Sequence, residues 1–188
     1  MQQEIYEPEQ DSHMLAKQVE KHISSIEDKN IQVLDMGSGS GIQAQTAIKA
    51  GIPRKNVLAI DINPKAIAHL KKQKLYAKKS NLFEKLITKK KLKTFDLIIF
   101  NAPYLPEHKH DKGLDTTAGK KGYEIILKFL RKAKPHLNKD GAILLLYSNL
   151  SKPRKIITYA KSKGYNQKLL DEQGVGMFEK LYVYKLFL

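Results

Sequence analysis

The chain has 188 residues and no cysteine, and its 34 Lys+Arg against 19 Asp+Glu give a formal net charge of +15. Without cysteine there is no disulfide, thiolate metal site or cysteine nucleophile, and 41% apolar residues suffice for a buried core, which excludes intrinsic disorder. The longest apolar run, Ala142 to Tyr147, falls far short of the ~20 residues that span a membrane.

The acidic start Met1-Gln2-Gln3-Glu4-Ile5 has no apolar segment of the secretory type. The expectation is one cytoplasmic domain over residues 1–188 with no membrane partner, in which residues 1–30 form an N-terminal helical cap segment. Asp11 or Ser12 is expected to cap a first helix reaching about Ile26, with Met14, Leu15, Val19, Ile23 and Ile26 on one face. Ile31 to Asp35 reads as a strand ending in an acid. The glycine turn Gly37-Ser38-Gly39-Ser40-Gly41 follows, then a helix from Ile42 to Ala50 closed by Gly51. Asn56 to Asp61 is a second strand ending in an acid, and Asn63-Pro64 caps and starts the next helix.

Leu75 to Asn81 is expected to hold a short third strand, and Phe95 to Phe100 a fourth that runs into Asn101-Ala102-Pro103-Tyr104. Residues 105–120 read as a polar loop, 121–137 as a helix, and Ala142 to Tyr147 as a fifth strand buried on both faces. A helix near 153–163 precedes two strand-like segments, Asn166 to Glu172 and Met177 to Leu188, around Gly174-Val175-Gly176. Alternating strands and helices predict an α/β, doubly wound, mostly parallel sheet with a C-terminal antiparallel hairpin.

The glycine turn lets backbone approach a ligand closely, and the helix it opens offers unpaired N–H groups. Gly37, Gly39 and Gly41 are the candidate contacts, and Asp61 is placed to accept the hydroxyls of a ribose. A dinucleotide fingerprint would need glycine where Ile42 stands. Asp35, two residues before the first glycine, would repel a pyrophosphate and welcome a cation such as S-adenosylmethionine. The simpler alternative is a set of glycines that serves only a tight turn.

Asn101-Ala102-Pro103-Tyr104 lies at the carboxyl end of a strand, where open α/β sheets place their chemistry. An amide or exocyclic amine nitrogen is a poor nucleophile because its lone pair is delocalised. The Asn101 side-chain oxygen and the Ala102 carbonyl could grip its N–H groups and favour positive charge as a methyl arrives. Pro103 restricts Ala102 to extended conformations, and Tyr104 offers a face to a planar group. Asn101 and Tyr104 are thus the candidate catalytic residues, with Ala102 and Pro103 completing the substrate site. A chance turn containing Asn and Pro is the alternative.

The segments Val33 to Gly41, Ala59 to Pro64 and Asn101 to Tyr104 resemble the motifs of class I methyltransferases that act on planar amino nitrogens. Tyr6-Glu7-Pro8-Glu9-Gln10-Asp11-Ser12 more specifically resembles the HemK-type release-factor glutamine methyltransferases of the short archaeal and eukaryotic branch. That resemblance implies a Rossmann-like sheet, S-adenosylmethionine as cofactor, and a release factor methylated on the glutamine of its Gly-Gly-Gln motif. By position it implies Ser12, Asp35, Gly37, Asp61, Asn81 and Leu82 as cofactor contacts and Asn101 as the contact to the substrate amide; Ile62, next to Asp61, is a further candidate cofactor contact. It also implies a small zinc-binding activator subunit, for which the third strand, if a sheet edge, offers strand addition. The chain departs from the family pattern at Ala102, usually proline, and at Asn81, usually aspartate facing the adenine amine.

The charge is uneven. Residues 1–35 carry three Lys against eight acids, whereas the stretch between Lys65 and Lys93 carries eleven Lys against Glu84 alone. Only Arg54, Arg131 and Arg154 are arginines, so the surplus consists of solvated point charges more than base-reading forks. The stretch reads equally as a solvated face or as a patch for RNA or ribosome. Two other functions stay open: methylation of an exocyclic adenine amine on rRNA, tRNA or DNA, and a catalytically silent scaffold. His108, His110 and Asp111 read as part of a loop, a candidate lid over the substrate, with no metal expected; His13, His22, His69 and His136 read as surface residues. Ser148 and Ser151 lack the context of a hydrolase nucleophile.

Overall fold

The computed structural model describes residues 5, 7–88, 91–104 and 122–188. In chain order the elements are α1 (Gln10–Ser24), β1 (Val33–Met36), α2 (Ile42–Lys49), β2 (Val57–Asp61), α3 (Pro64–Lys72), β3 (Tyr76–Lys79), β4 (Ile87–Thr88), β5 (Lys91–Leu92), β6 (Phe95–Asn101), α4 (Glu124–Ala133), β7 (Leu137–Ser148), α5 (Pro153–Ser162), β8 (Asn166–Val175) and β9 (Glu179–Phe187). Among the described residues seven strands form one sheet in the order β3-β2-β1-β6-β7-β9-β8. The pairs among β3, β2, β1, β6 and β7 are parallel, while β9 runs antiparallel to both β7 and β8. This is the mostly parallel sheet with a C-terminal antiparallel hairpin expected from the alternation of elements.

Strand order reverses at β1, which pairs with β2 on one side and β6 on the other. In register, Met36 lies opposite both Ile60 and Phe100. The next residues, Gly37, Asp61 and Asn101, therefore sit at one level where the three strands end, at the topological switch point. Alternating side chains feed two cores. Leu34, Met36, Ile98 and Phe100 meet Phe129 and Leu130 of α4 and Ile156 of α5. Val33, Leu97 and Ile99 meet Leu15 and Val19 of α1, Ala44 of α2 and Leu70 of α3.

Several boundaries differ from the expectation. Glu9 is the residue at the N-cap of α1, so Asp11 and Ser12 lie inside the first turn and are buried. The helix expected to reach residue 137 stops at Ala133, because Pro135 cannot continue it and forms part of the 3₁₀ turn Lys134–His136. The fifth strand starts five residues earlier than expected, at Leu137 of β7. The short antiparallel pair β4–β5 was not expected; it lies in the Lys-rich stretch.

His136 is buried rather than on the surface: its Nδ1 lies 2.7 Å from the Lys93 carbonyl and its ring stacks on Phe83 at 4.6 Å. His22 is also half-buried, and burial first, then Lys185, lowers its pKa to about 4. Among the described residues no helix is long and apolar enough to cross a membrane.

Candidate active site

The glycine turn is held by backbone and acids together. Gly41 donates to the Ser38 carbonyl over 2.7 Å and Ser38 to the Ile60 carbonyl over 2.9 Å. Gly41 has a φ of +88° at the N-cap of α2, and a Cβ there would lie 2.7 Å from a Leu70 methyl. Glycine is thus required both by the left-handed backbone and by the approach of α3.

Asp35 does not simply face the turn. Its Oδ2 accepts from the Ser38 hydroxyl and, at 3.0 Å, from the Ala44 amide, so the carboxylate braces the turn from beneath. Burial pushes its carboxyl up to about 6; the Ser38 and Ala44 hydrogen bonds oppose that rise and the charge of Asp61 adds to it. Asp61 accepts from Gly39 through Oδ2 and from Asn63 through Oδ1, both at 2.8 Å. A carboxylate has about four lone-pair positions, so capacity remains for ligand hydroxyls. Asn63 Oδ1 in turn accepts from Lys65 N over 2.9 Å and caps α3.

The residues expected to hold a cofactor fit a cationic nucleoside of this kind. Two acids and three left-handed glycines, Gly37, Gly39 and Gly41, stand at the ends of adjacent strands. Ile62, beside Asp61, leaves an apolar side chain 44% exposed on this rim. Asn81 and Leu82 follow β3, and Leu82 adopts a φ of +51° while buried. A leucine in the left-handed region is strained; Ser80 secures this turn, its hydroxyl donating to the Leu82 carbonyl over 2.7 Å and accepting from Lys85 N over 3.1 Å.

The first turn of α1 connects the two halves of the site. Gln43 Nε2 donates to the Ser12 carbonyl over 2.8 Å. From the other side, Asn101 Nδ2 donates to Asp11 Oδ2 at 3.0 Å, with Ser12 Oγ at 3.4 Å. Asn101 Oδ1 is buried and has no hydrogen-bond partner among the described residues. Ala102 is buried and donates to the Leu146 carbonyl over 3.2 Å. Ser151 donates to the Tyr104 carbonyl over 3.2 Å and fixes the far end of the motif.

The Tyr104 hydroxyl lies 3.5 Å from Asp11 Oδ2. Burial above all, then the negative charges of Asp11 and Glu179, raise the Tyr104 pKa well beyond its ordinary value. The phenol therefore stays neutral and can only present a ring and an O–H.

The structure thus gathers Ser12, Asn101, Ala102 and Tyr104 in one cluster, beside a second formed by Asp35, the glycines, Asp61 and Ile62. Gln43, Ser151 and Asp11 as a partner of Asn101 are additions that the sequence reading missed. The only local signal for Asp11 was its place in the segment from Tyr6 to Ser12. The loop read as a lid, with His108, His110 and Asp111, lies outside the described residues. Among the described residues no group of His, Asp and Glu has the arrangement of a metal site.

Comparison with known proteins bears on the family and the fold. The family model of the methyltransferase small domain matches residues 7–163. A protein of Methanocaldococcus jannaschii, named as a candidate protein N5-glutamine methyltransferase, is 32% identical over 96% of this chain and 90% of its own length. The mouse methyltransferase HEMK2 is 26% identical over 86% of this chain and 79% of its own. Among solved structures, the Encephalitozoon cuniculi Mtq2–Trm112 complex, described as methylating the termination factor eRF1, superposes with a TM-score of 0.76 at 21% identity, over 97% of both chains. At that identity the likeness is one of fold.

Proposed function

We propose, from the premise that the chain belongs to the methyltransferase small-domain family and to its HemK-type N5-glutamine branch, that it methylates the side-chain amide of the glutamine in a release factor's Gly-Gly-Gln motif. The family makes it an S-adenosylmethionine-dependent N-methyltransferase; what is proposed is the acceptor and the role of each residue. The cofactor supplies an electrophilic methyl group. Asp35, Gly37, Gly39, Gly41, Asp61 and Ile62 would hold it, with Ser12, Asn81 and Leu82 closing the pocket.

The observation that carries the reading is Asn101 Oδ1. It is a buried acceptor without a partner among the described residues, on the residue that stands level with Gly37 and Asp61 where β6, β1 and β2 end. A buried polar atom left unsatisfied is costly, and an incoming N–H satisfies it. Accepting from the substrate amide orients the nitrogen and favours the positive charge that develops there. The Ala102 carbonyl would take the second N–H, Pro103 fixes the backbone and the Tyr104 ring covers the plane of the amide. No side chain is required as a base, because the proton can leave to water once the methyl has transferred.

On this reading residues 1–188 act as one domain beside the translation machinery in the cytoplasm, with 1–30 as the cap that completes the site. A small zinc-binding activator subunit would dock by strand addition on β3. That strand ends the sheet, and Tyr76 on it is 59% exposed. The Lys-rich stretch between Lys65 and Lys93 would face the RNA-rich surroundings of such a substrate.

The test uses labelled S-adenosylmethionine with the purified chain, a release factor, the same factor with its Gly-Gly-Gln glutamine replaced, and total RNA. Label in the intact factor and none in the replaced one is expected. Label confined to RNA would overturn the reading in favour of an exocyclic base amine, and no label with or without an activator would favour a silent scaffold.

A further inference from the structure

Asn101 has a two-ended side chain. Only one orientation offers an acceptor to an incoming N–H; the other, half a turn away about the terminal torsion, offers a donor and repels it. An amide in a site of this kind must therefore be held against reversal. The structure supplies the restraint from a residue 90 positions away in sequence: Asn101 Nδ2 donates to Asp11 Oδ2 over 3.0 Å.

A carboxylate only accepts, so the reversed amide would set oxygen against oxygen. Asp11 is only 4% exposed and lies in the first turn of α1, where a negative charge is favoured by the helix dipole. Its place is fixed from behind, since the Ser12 carbonyl is held by Gln43. Hydrogen bonds to charged groups are roughly twice as strong as neutral ones, and the amide polarised in this way carries more negative charge on Oδ1.

We infer that Asp11 is a positioning residue that acts through Asn101: it keeps Oδ1, and not Nδ2, towards the nitrogen that receives the methyl group. The inference rests on the reading of Asn101 as the acceptor for the substrate amide. Asp11 touches no reacting atom and serves by orienting one that does.

The experiment is an exchange of the two residues. Methyl transfer to the release factor, cofactor affinity and melting temperature are measured for the wild type, Asp11→Asn, Asn101→Asp, the double variant, and Asn101→Ala. Asn101→Asp sets two carboxylates against each other and should lose about 100-fold or more in kcat. In the double variant the amide introduced at position 11 donates to the carboxylate introduced at position 101. An acceptor again faces the substrate, so kcat should recover at least ~10-fold over Asn101→Asp. Asp11→Asn alone should lose about 2- to 10-fold, with cofactor affinity within about threefold. Recovery in the double variant is not expected of a residue that merely stabilises α1.

A double variant no more active than the product of its singles overturns the inference. An Asn101→Ala variant as active as the wild type sinks the underlying reading instead, and the two failures are thereby distinct. Where a variant fails to fold, the wild type answers by NMR. One Asn101 Hδ2 proton should be shifted downfield and protected from exchange; a resonance at ordinary shift with rapid exchange overturns the inference as well.

Discussion

Gln43 on the first turn of α2 donates to the carbonyl of Ser12 on the first turn of α1 over 2.8 Å, so the helix launched by the glycine turn is tied to the helix that holds Asn101. The Ser12 carbonyl belongs to a helix and keeps its intrahelical partner without Gln43. Gln43 Oε1, by contrast, is buried with no partner among the described residues. Gln43→Met therefore removes one hydrogen bond and one unsatisfied acceptor together. The net change in unfolding free energy should stay within about 1 kcal/mol, while kcat/KM for the protein substrate falls about 10-fold because the first turn of α1 is no longer registered on the cofactor loop. Urea denaturation and steady-state transfer, measured on one preparation, check both halves.

The two acids and the amide at the strand ends should separate binding from chemistry. Asn101→Ala is expected to abolish transfer and leave S-adenosylmethionine affinity within about threefold. Asp61→Ala should do the reverse, weakening cofactor binding by about 10-fold or more, since it also releases the amides of Gly39 and Asn63. Calorimetric titration of the cofactor alone decides; a large loss of affinity in Asn101→Ala would assign that residue to the cofactor site.

Asp35, buried, and His22, half-buried, should make stability depend on pH in opposite senses. Asp35, raised from 3.8 to about 6 in the folded state, keeps its proton more readily folded than unfolded, so its contribution is present at low pH and is lost as pH rises through about 6. His22, lowered from 6.5 to about 4, contributes above its unfolded value, and that contribution is lost as pH falls towards 4. Between pH 4 and 6 the two oppose each other. Relative to the wild type, Asp35→Asn should make the urea midpoint rise with pH over this window, and His22→Gln should make it fall. Parallel curves for all three proteins would contradict both assignments.

Gly41→Ala combines a left-handed backbone with a Cβ placed 2.7 Å from Leu70 and 3.1 Å from Leu75. The variant should lose about 2 kcal/mol or more of stability and bind cofactor poorly, because α2 is displaced. Gly174→Ala, where a Cβ meets nothing within 4 Å, is the control and should change the midpoint by less than about 1 kcal/mol.

Apolar runs and glycine turns made most of this fold legible. Residues 95–100 read as a strand because every position but Asp96 is apolar, and Gly37 to Gly41 announces the turn. What stayed hidden is what the sequence spreads apart. Asp11 has the composition of a helix cap, and only the folding of α1 over the sheet ends turns it onto Asn101. The β4–β5 pair is masked because lysines break the alternation that identifies a strand. His136 looked like a surface residue because its 3₁₀ turn gives no period from which burial could be read.

Glu84 is the sole acid between Lys65 and Lys93, and Lys132 and Lys128 from α4 lie 3.5 and 4.0 Å from its carboxylate. The stretch consequently has no acid left to offset its own lysines. A surface of this composition gathers counterions and exchanges them for any polyanion, with an affinity that falls steeply and linearly on a log–log plot against salt. Retention of nucleic acid by this chain in dilute buffer therefore reports ion exchange, and only binding that survives physiological ionic strength speaks for recognition.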